Sequence, residues 1–212
     1  MAPQRERRIL TEQTLGEGLV ALAATDPDVA RALDEAGPPA LRRNRAGFET
    51  LLRAIVSQQI SKAAAATVWE RLERATRGIA PESVLALDED ALRAAGLSHR
   101  KAGYVRGLAE SVMTGAIDLD GLARRPDAEV VAELVRLRGI GRWSAEIYLL
   151  FALGRPDAFP ADDLALMIGA QRLKRLAARP DRGGLSEIAE AWRPWRGPAA
   201  LLLWHYYTWT GR

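Results

Sequence analysis

Three groups of residues in this sequence have types and spacing that could do chemistry. Asp162 and Asp163 are adjacent carboxylates opening an apolar helical stretch, Leu164 to Leu176. A carboxylate held where water is scarce can stabilise a developing positive charge and can orient or deprotonate an attacking water. If the pair approached closely, one member could be kept protonated by the other. An Asp just before an apolar helix is equally the expected N-cap. The second group is the run Leu137-Arg138-Gly139-Ile140-Gly141-Arg142-Trp143-Ser144. Two glycines flanking one apolar residue let the backbone turn tightly, so the amides opening the next helix face outward, a geometry that suits phosphate oxygens. Arg142 and Ser144 stand where side chains could complete that grip. A merely structural connection between two helices fits the same residues. In the third group, Ser57-Gln58-Gln59-Ile60-Ser61 interrupts two apolar helical patterns. Such a break is a natural place for exposed function, and it also reads as a polar turn with Ile60 in the core.

Several chemistries are excluded. The chain has no cysteine, hence no disulfide framework, thiolate nucleophile, thiolate zinc site or cysteine-ligated iron-sulfur cluster. His99 and His205 lack partner spacing for a metal, and there is no glycine-rich loop ending in Lys-Ser or Lys-Thr. The formal charge of +3 is small because 27 acidic residues nearly balance 30 basic ones. Basic residues nevertheless cluster at Arg42 to Arg45, His99 to Arg106, Arg136 to Arg142, Arg172 to Arg182, and Arg193 with Arg196. Lys62, Lys101 and Lys174 are the three lysines. No apolar run approaches the roughly 20 residues of a membrane span, and Arg5, Arg7 and Arg8 precede no apolar signal core. The expected address is cytoplasmic.

The elements that must position these groups read as helical throughout, with apolar spacing of three and four, so the fold class is all-α. Asp26 and Pro27 open a helix that ends at Gly37. Phe48, Leu51, Leu52, Ile55 and Val56 share one face of the next, and Ser61 caps an alanine-rich helix to about Ala75. Asp88 opens a short helix that stops at Gly96, and Ser98 opens a longer one to about Thr114. Asp127 to Val135 and Arg142 to Leu153 flank the Gly139 to Gly141 turn. Trp192, Trp195 and Trp209 are assigned to the core.

The run Leu137 to Glu146, followed by Phe159-Pro-Ala-Asp-Asp-Leu164, resembles the helix-hairpin-helix (HhH-GPD) DNA glycosylase superfamily, and within it the alkylation-repair branch of 3-methyladenine-DNA glycosylase II. The likeness continues in Ala54 to Ser61 and in Trp192-Arg-Pro-Trp-Arg196 leading to Trp204, and covers roughly residues 40 to 210. It implies a two-lobed helical fold: an N-terminal segment 1–40 packing with the C-terminal helices, and a core 41–212 whose middle lobe spans about 48–160. The branch's extra N-terminal β-rich domain is expected to be missing, because the residues before the match read as helical. The resemblance implies a monofunctional glycosylase that removes alkylated purines from duplex DNA in base excision repair, acting as a monomer, nucleoid-associated in a bacterium. A non-catalytic damaged-DNA-binding module is the alternative.

The family's catalytic aspartate falls on Asp163, with Asp162 as an N-cap or supporting residue. Trp143, Trp204, Tyr148 and Ile147 fall on the base pocket; Ile147 departs from a position that can be aromatic. The resemblance places Gly139, Gly141, Arg142 and Ser144 on the DNA backbone and makes Gln58, Gln59 and Ile60 the wedge that fills the gap left by a flipped base. Lyase relatives carry a lysine two residues after the second glycine, where this chain has Trp143, so no strand nicking is expected. No cofactor is expected, although family hairpins can bind a monovalent cation, Na+ or K+, through carbonyls that correspond to Val135, Leu137 and Ile140.

Overall fold

The computed structural model describes residues 8–210; Arg5 and Arg7 lie outside the described residues. Those residues form helices and no strands, in agreement with the all-α expectation. In chain order the helices are α1 (Glu12–Thr25), α2 (Pro27–Ala36), α3 (Phe48–Ser57), α4 (Lys62–Thr76), α5 (Pro81–Leu85), α6 (Glu89–Ala94), α7 (His99–Met113), α8 (Asp127–Val135), α9 (Arg142–Ile147), α10 (Leu164–Leu173), α11 (Arg182–Glu190) and α12 (Arg196–Thr208). Their starts follow local chemistry. The side chains of Asp26, Ser61, Asp88 and Ser98 each accept a main-chain N–H from the first turn of the helix they open, replacing a bond that the terminus would otherwise lack.

Two ends differ from expectation. The helix expected from Arg142 to Leu153 is α-helical only to Ile147, and Tyr148–Ala152 widens into a π turn. Beyond it the chain is tied down by long-range bonds. Arg43 Nη2 donates to the Ala152 carbonyl at 3.3 Å, and the Leu10 amide donates to the Gly154 carbonyl at 2.7 Å. Helix α10 stops at Leu173 rather than Leu176 because Arg175 adopts φ +52° and the Leu176 amide folds back onto the Gln171 carbonyl at 2.9 Å. That is a Schellman-type stop built without glycine.

The chain divides into two compact units, residues 44–148 and the combination of the two flanking segments, with the boundary at Tyr148 and Leu149. The expected middle lobe runs on to about 160. In the first unit, α3 packs on α7 and α4, α5 and α6 pack on α7, and α8 packs on α9. Leu51, Leu52, Ile55, Leu72, Leu92, Leu108, Leu122 and Leu134 are fully buried there, each burial stabilising the fold by roughly 2 kcal/mol.

In the second unit, α1 and α2 pack with α12, and α10 lies along both α12 and α2. The approach of α10 to α12 is close: a Cβ on Gly169 would stand 2.5 Å from the Leu203 carbonyl oxygen. Asp26 is the polar centre of this unit. Both its oxygens accept from Lys174 Nζ at 2.7 Å, and Oδ2 also accepts from Trp192 Nε1 at 2.8 Å. Trp192 and Trp195 are buried as expected. Trp209 departs from that expectation: it follows the end of α12 and is half-buried, stacked on Tyr206 with centroids 5.3 Å apart.

Candidate active site and nucleic-acid interface

The carboxylate comes first. Asp163 caps α10, and its Oδ1 accepts the Leu166 amide at 3.0 Å and the Trp204 indole Nε1–H at 3.1 Å. These donors fix the carboxyl rotamer from two directions, one along the helix axis and one from α12. Asp163 stays half-buried, and the next side chain, Leu164, is 55% exposed. The N-cap role expected of Asp162 belongs to Asp163 instead. Asp162 is exposed and pairs with Arg182 Nε at 3.4 Å, so the two carboxylates are turned to different partners. The Trp204 ring, expected as base-pocket lining, also packs on Phe151, with centroids 5.6 Å apart and planes inclined at 31°. Sequence reasoning missed Phe151, which lies in the π turn; nothing in its spacing distinguishes it from a core residue.

The hairpin is built in residues 44–148. Gly139 adopts φ +91°, and a Cβ there would lie 2.5 Å from the Tyr104 ring, so only glycine fits. Gly141 is different: its φ is −89°, and a Cβ would meet nothing within 4 Å. The fold does not require that glycine, and the space above it is open. Gly141 is the N-cap of α9, with no side-chain cap bond. Arg142 is more than half exposed and donates from Nε to Glu146 Oε1 at 2.9 Å. Ser144, expected to grip with its side chain, is buried at 9% exposure. The Leu137 carbonyl accepts the Ile140 amide at 3.0 Å within the turn. Among the described residues, no group of three or more His, Asp or Glu could hold a metal ion.

The pocket residues of this unit separate. Trp143 is 42% exposed in the first turn of α9, and Ile147 is half-buried. Tyr148 is 2% exposed, and its hydroxyl accepts the Gly47 amide at 2.8 Å. Burial pushes the Tyr148 phenol pKa up, and that bond only partly offsets it. The expected role of Tyr148 as an edge of the pocket therefore competes with a buried tie to the start of α3.

The segment after α3 is exposed at Gln59 and Ile60, Ile60 at 39%, which overturns the core reading of Ile60. Gln59 adopts φ +56°, uncommon for a residue other than glycine. Gln58 is half-buried, and its Nε2 donates to the Gly139 carbonyl at 2.7 Å. This link between two motifs 81 residues apart left no signal in the sequence.

A family model described as HhH-GPD superfamily base excision DNA repair protein matches residues 52–194, a span that holds Gln58 to Ile60, the Gly139 to Gly141 turn and Asp163 and ends before Trp204. The chain is 31% identical over 208 residues to DNA-3-methyladenine glycosylase 1 of Schizosaccharomyces pombe, covering 95% of this chain and 90% of that protein. A solved structure of a 3-methyladenine DNA glycosylase from the same yeast, in complex with abasic DNA, superposes with a TM-score of 0.80 at 30% identity, covering 89% of this chain and 95% of that one. A DNA-3-methyladenine glycosidase from Bacillus halodurans superposes with a TM-score of 0.83 at 31% identity, covering 94% and 91%. With the Gln58-Gln59-Ile60 segment, the Gly139 to Gly141 turn and the capped aspartate all inside the matched span, the chain belongs to the HhH-GPD superfamily of base excision DNA repair proteins.

Proposed function

We propose that this chain is a monofunctional DNA glycosylase that removes alkylated purines, of which 3-methyladenine is the type, from duplex DNA. The observation that carries the reading is Asp163, held at Oδ1 by the Leu166 amide and the Trp204 indole while remaining half-exposed.

The chemistry follows from the bond to be broken. Departure of the base takes the C1′–N electron pair with it and leaves positive charge on the sugar. An alkylated purine already carries positive charge, so it leaves neutral and needs no general acid. A carboxylate fixed beside C1′ stabilises the cationic sugar and takes the proton of the water that adds there. The products are a free base and an abasic strand with intact phosphodiesters. Trp143, 42% exposed, supplies an indole, a ring that attracts a cationic base by about 0.5 to 2 kcal/mol. No amine stands at Trp143, the position that holds the lysine of lyase relatives, so no Schiff base is expected there.

Binding is assigned to residues 44–148. The open space at Gly141 lets a phosphate approach the main chain, with Arg142 beside it. Gln59 and Ile60 fill the gap left by the flipped nucleotide. The carbonyls of Val135, Leu137 and Ile140 are neutral oxygens suited to a monovalent cation, which would add positive charge near that phosphate. Recognition of one lesion needs a single chain, so the working form is a monomer.

The test is release of free base from methylated duplex DNA. The substitution Asp163→Asn keeps an oxygen for the Leu166 and Trp204 donors and removes the charge. It lowers base release at least about 100-fold while affinity for an abasic duplex is retained. A wild-type protein that binds the abasic duplex and releases no base under any condition is instead a damage-binding module. Borohydride trapping of a protein–DNA adduct would contradict the monofunctional assignment.

A further inference from the structure

Three contacts in residues 44–148 close into a ring. Lys101 Nζ, on α7, donates to the Val56 carbonyl near the end of α3 at 2.7 Å. Tyr104, one turn further along α7, lies against Gly139, where a Cβ would come within 2.5 Å of its ring. Gln58, which follows α3, donates Nε2–H to the Gly139 carbonyl at 2.7 Å. The acceptor is a carbonyl, so the donor must be the nitrogen of the Gln58 amide and its orientation is settled. From α3 the ring passes through Lys101 to α7, through Tyr104 to the hairpin, and through Gln58 back to α3.

We propose that Gln58, Lys101 and Tyr104 form a brace that holds the Gln59-Ile60 turn in register with the hairpin, and that Gln58 is a positioning residue that does not itself enter the DNA. This rests on the reading of Gln59 and Ile60 as the gap-filling wedge. Entry of Gln58 into the duplex would break its bond to Gly139 and leave that carbonyl without the amide. Gln59 and Ile60 are exposed and can insert without disturbing the ring. The consequence is mechanical coupling: the grip on the strand and insertion into the gap move as one body, so phosphate binding delivers the wedge at a set distance.

The test uses the full-length protein in three measurements: hydrogen exchange by mass spectrometry, base release from methylated DNA, and fluorescence of 2-aminopurine opposite a tetrahydrofuran abasic analogue. Gln58→Ala is expected to raise exchange in 57–61 and 138–141 together, and to lower kcat for base release about fivefold with KM unchanged. Lys101→Met should act in the same direction and Lys101→Arg should restore most of the loss. The double variant Gln58→Ala with Lys101→Met should fall short of the product of the single effects, because the two share one ring. If Gln58→Ala does not fold, Gln58→Asn, too short to reach Gly139, takes its place. Faster exchange confined to 57–61, or loss of affinity for the abasic duplex with 138–141 unchanged, overturns the brace. Gln59→Ala should abolish the 2-aminopurine signal. If it leaves that signal as in wild type, the wedge assignment fails, and the exchange result still decides the brace.

Discussion

Asp26 and Asp163 occupy the same local geometry and lead different lives. Each is an N-cap, each accepts a main-chain N–H from its own helix, and each also accepts an indole N–H, from Trp192 and Trp204 respectively. Asp26 is 8% exposed and also takes Lys174 Nζ on both oxygens. Asp163 is half-buried beside an exposed leucine. The cap and the indole orient both carboxylates; the two differ in exposure, and the proposed function assigns chemistry to the more accessible one.

The comparison breaks most decisively at the carboxylates themselves. Asp163→Asn should abolish base release to below about 1% of wild type with a melting temperature within about 2 °C of it, because Asn caps as well as Asp. Asp26→Asn should do the converse. It removes the two short bonds to Lys174 Nζ and leaves that part-buried ammonium with Asp28 at 3.3 Å, with an expected cost of about 2 kcal/mol in denaturant unfolding and unchanged turnover per folded molecule. If the two phenotypes were exchanged, the division between them would be wrong.

Acid titration sharpens the same contrast. Burial raises the Asp26 pKa, but the hydrogen bonds from Lys174 and Trp192, with the Lys174 charge, outweigh it and leave the carboxyl below its ordinary value of 3.8. The unfolded chain therefore binds the proton first. The stability that Asp26 contributes is fully present above about pH 4 and lost as the pH falls through the lower folded value. Melting temperature should fall more steeply below pH 4 in the wild type than in Asp26→Asn. Parallel curves would remove Asp26 from the account.

The smallest expected effects concern the indoles. Trp204→Phe removes one donor to Asp163 and keeps a ring against Phe151, so kcat should drop about fivefold to tenfold with little change in KM. Trp192→Phe removes the donor to Asp26 and should cost about 1 kcal/mol of stability with kcat unchanged. Single-turnover release and urea unfolding on both variants provide the check.

What could be read in the sequence was local. Caps at Asp26, Ser61, Asp88 and Ser98, the stops at Gly37 and Gly96, and the tight turn through Gly139 depend on a few neighbouring residues, and the structure has each where the pattern puts it. The stop at Arg175 was hidden because the left-handed position holds no glycine. The π turn was hidden because it is tied off by Arg43 and Leu10, more than 100 residues earlier. At the site, the resemblance picked out Asp163 and Trp204 separately but not the bond between them, and Gln58 and Gly139 separately but not theirs. Both bonds join groups across long sequence separations, where periodicity carries no information.

Gly169 has a reach beyond its own position. Its bare Cα lets the backbone of α10 ride against the Leu203 carbonyl of α12; Trp204 follows Leu203 on one rod, and Asp163 caps the other. The spacing between the rods works as a gauge block for the distance from indole to carboxylate. A single methyl there would pry the rods apart and lengthen the bond from indole to carboxylate while leaving both of those side chains chemically intact.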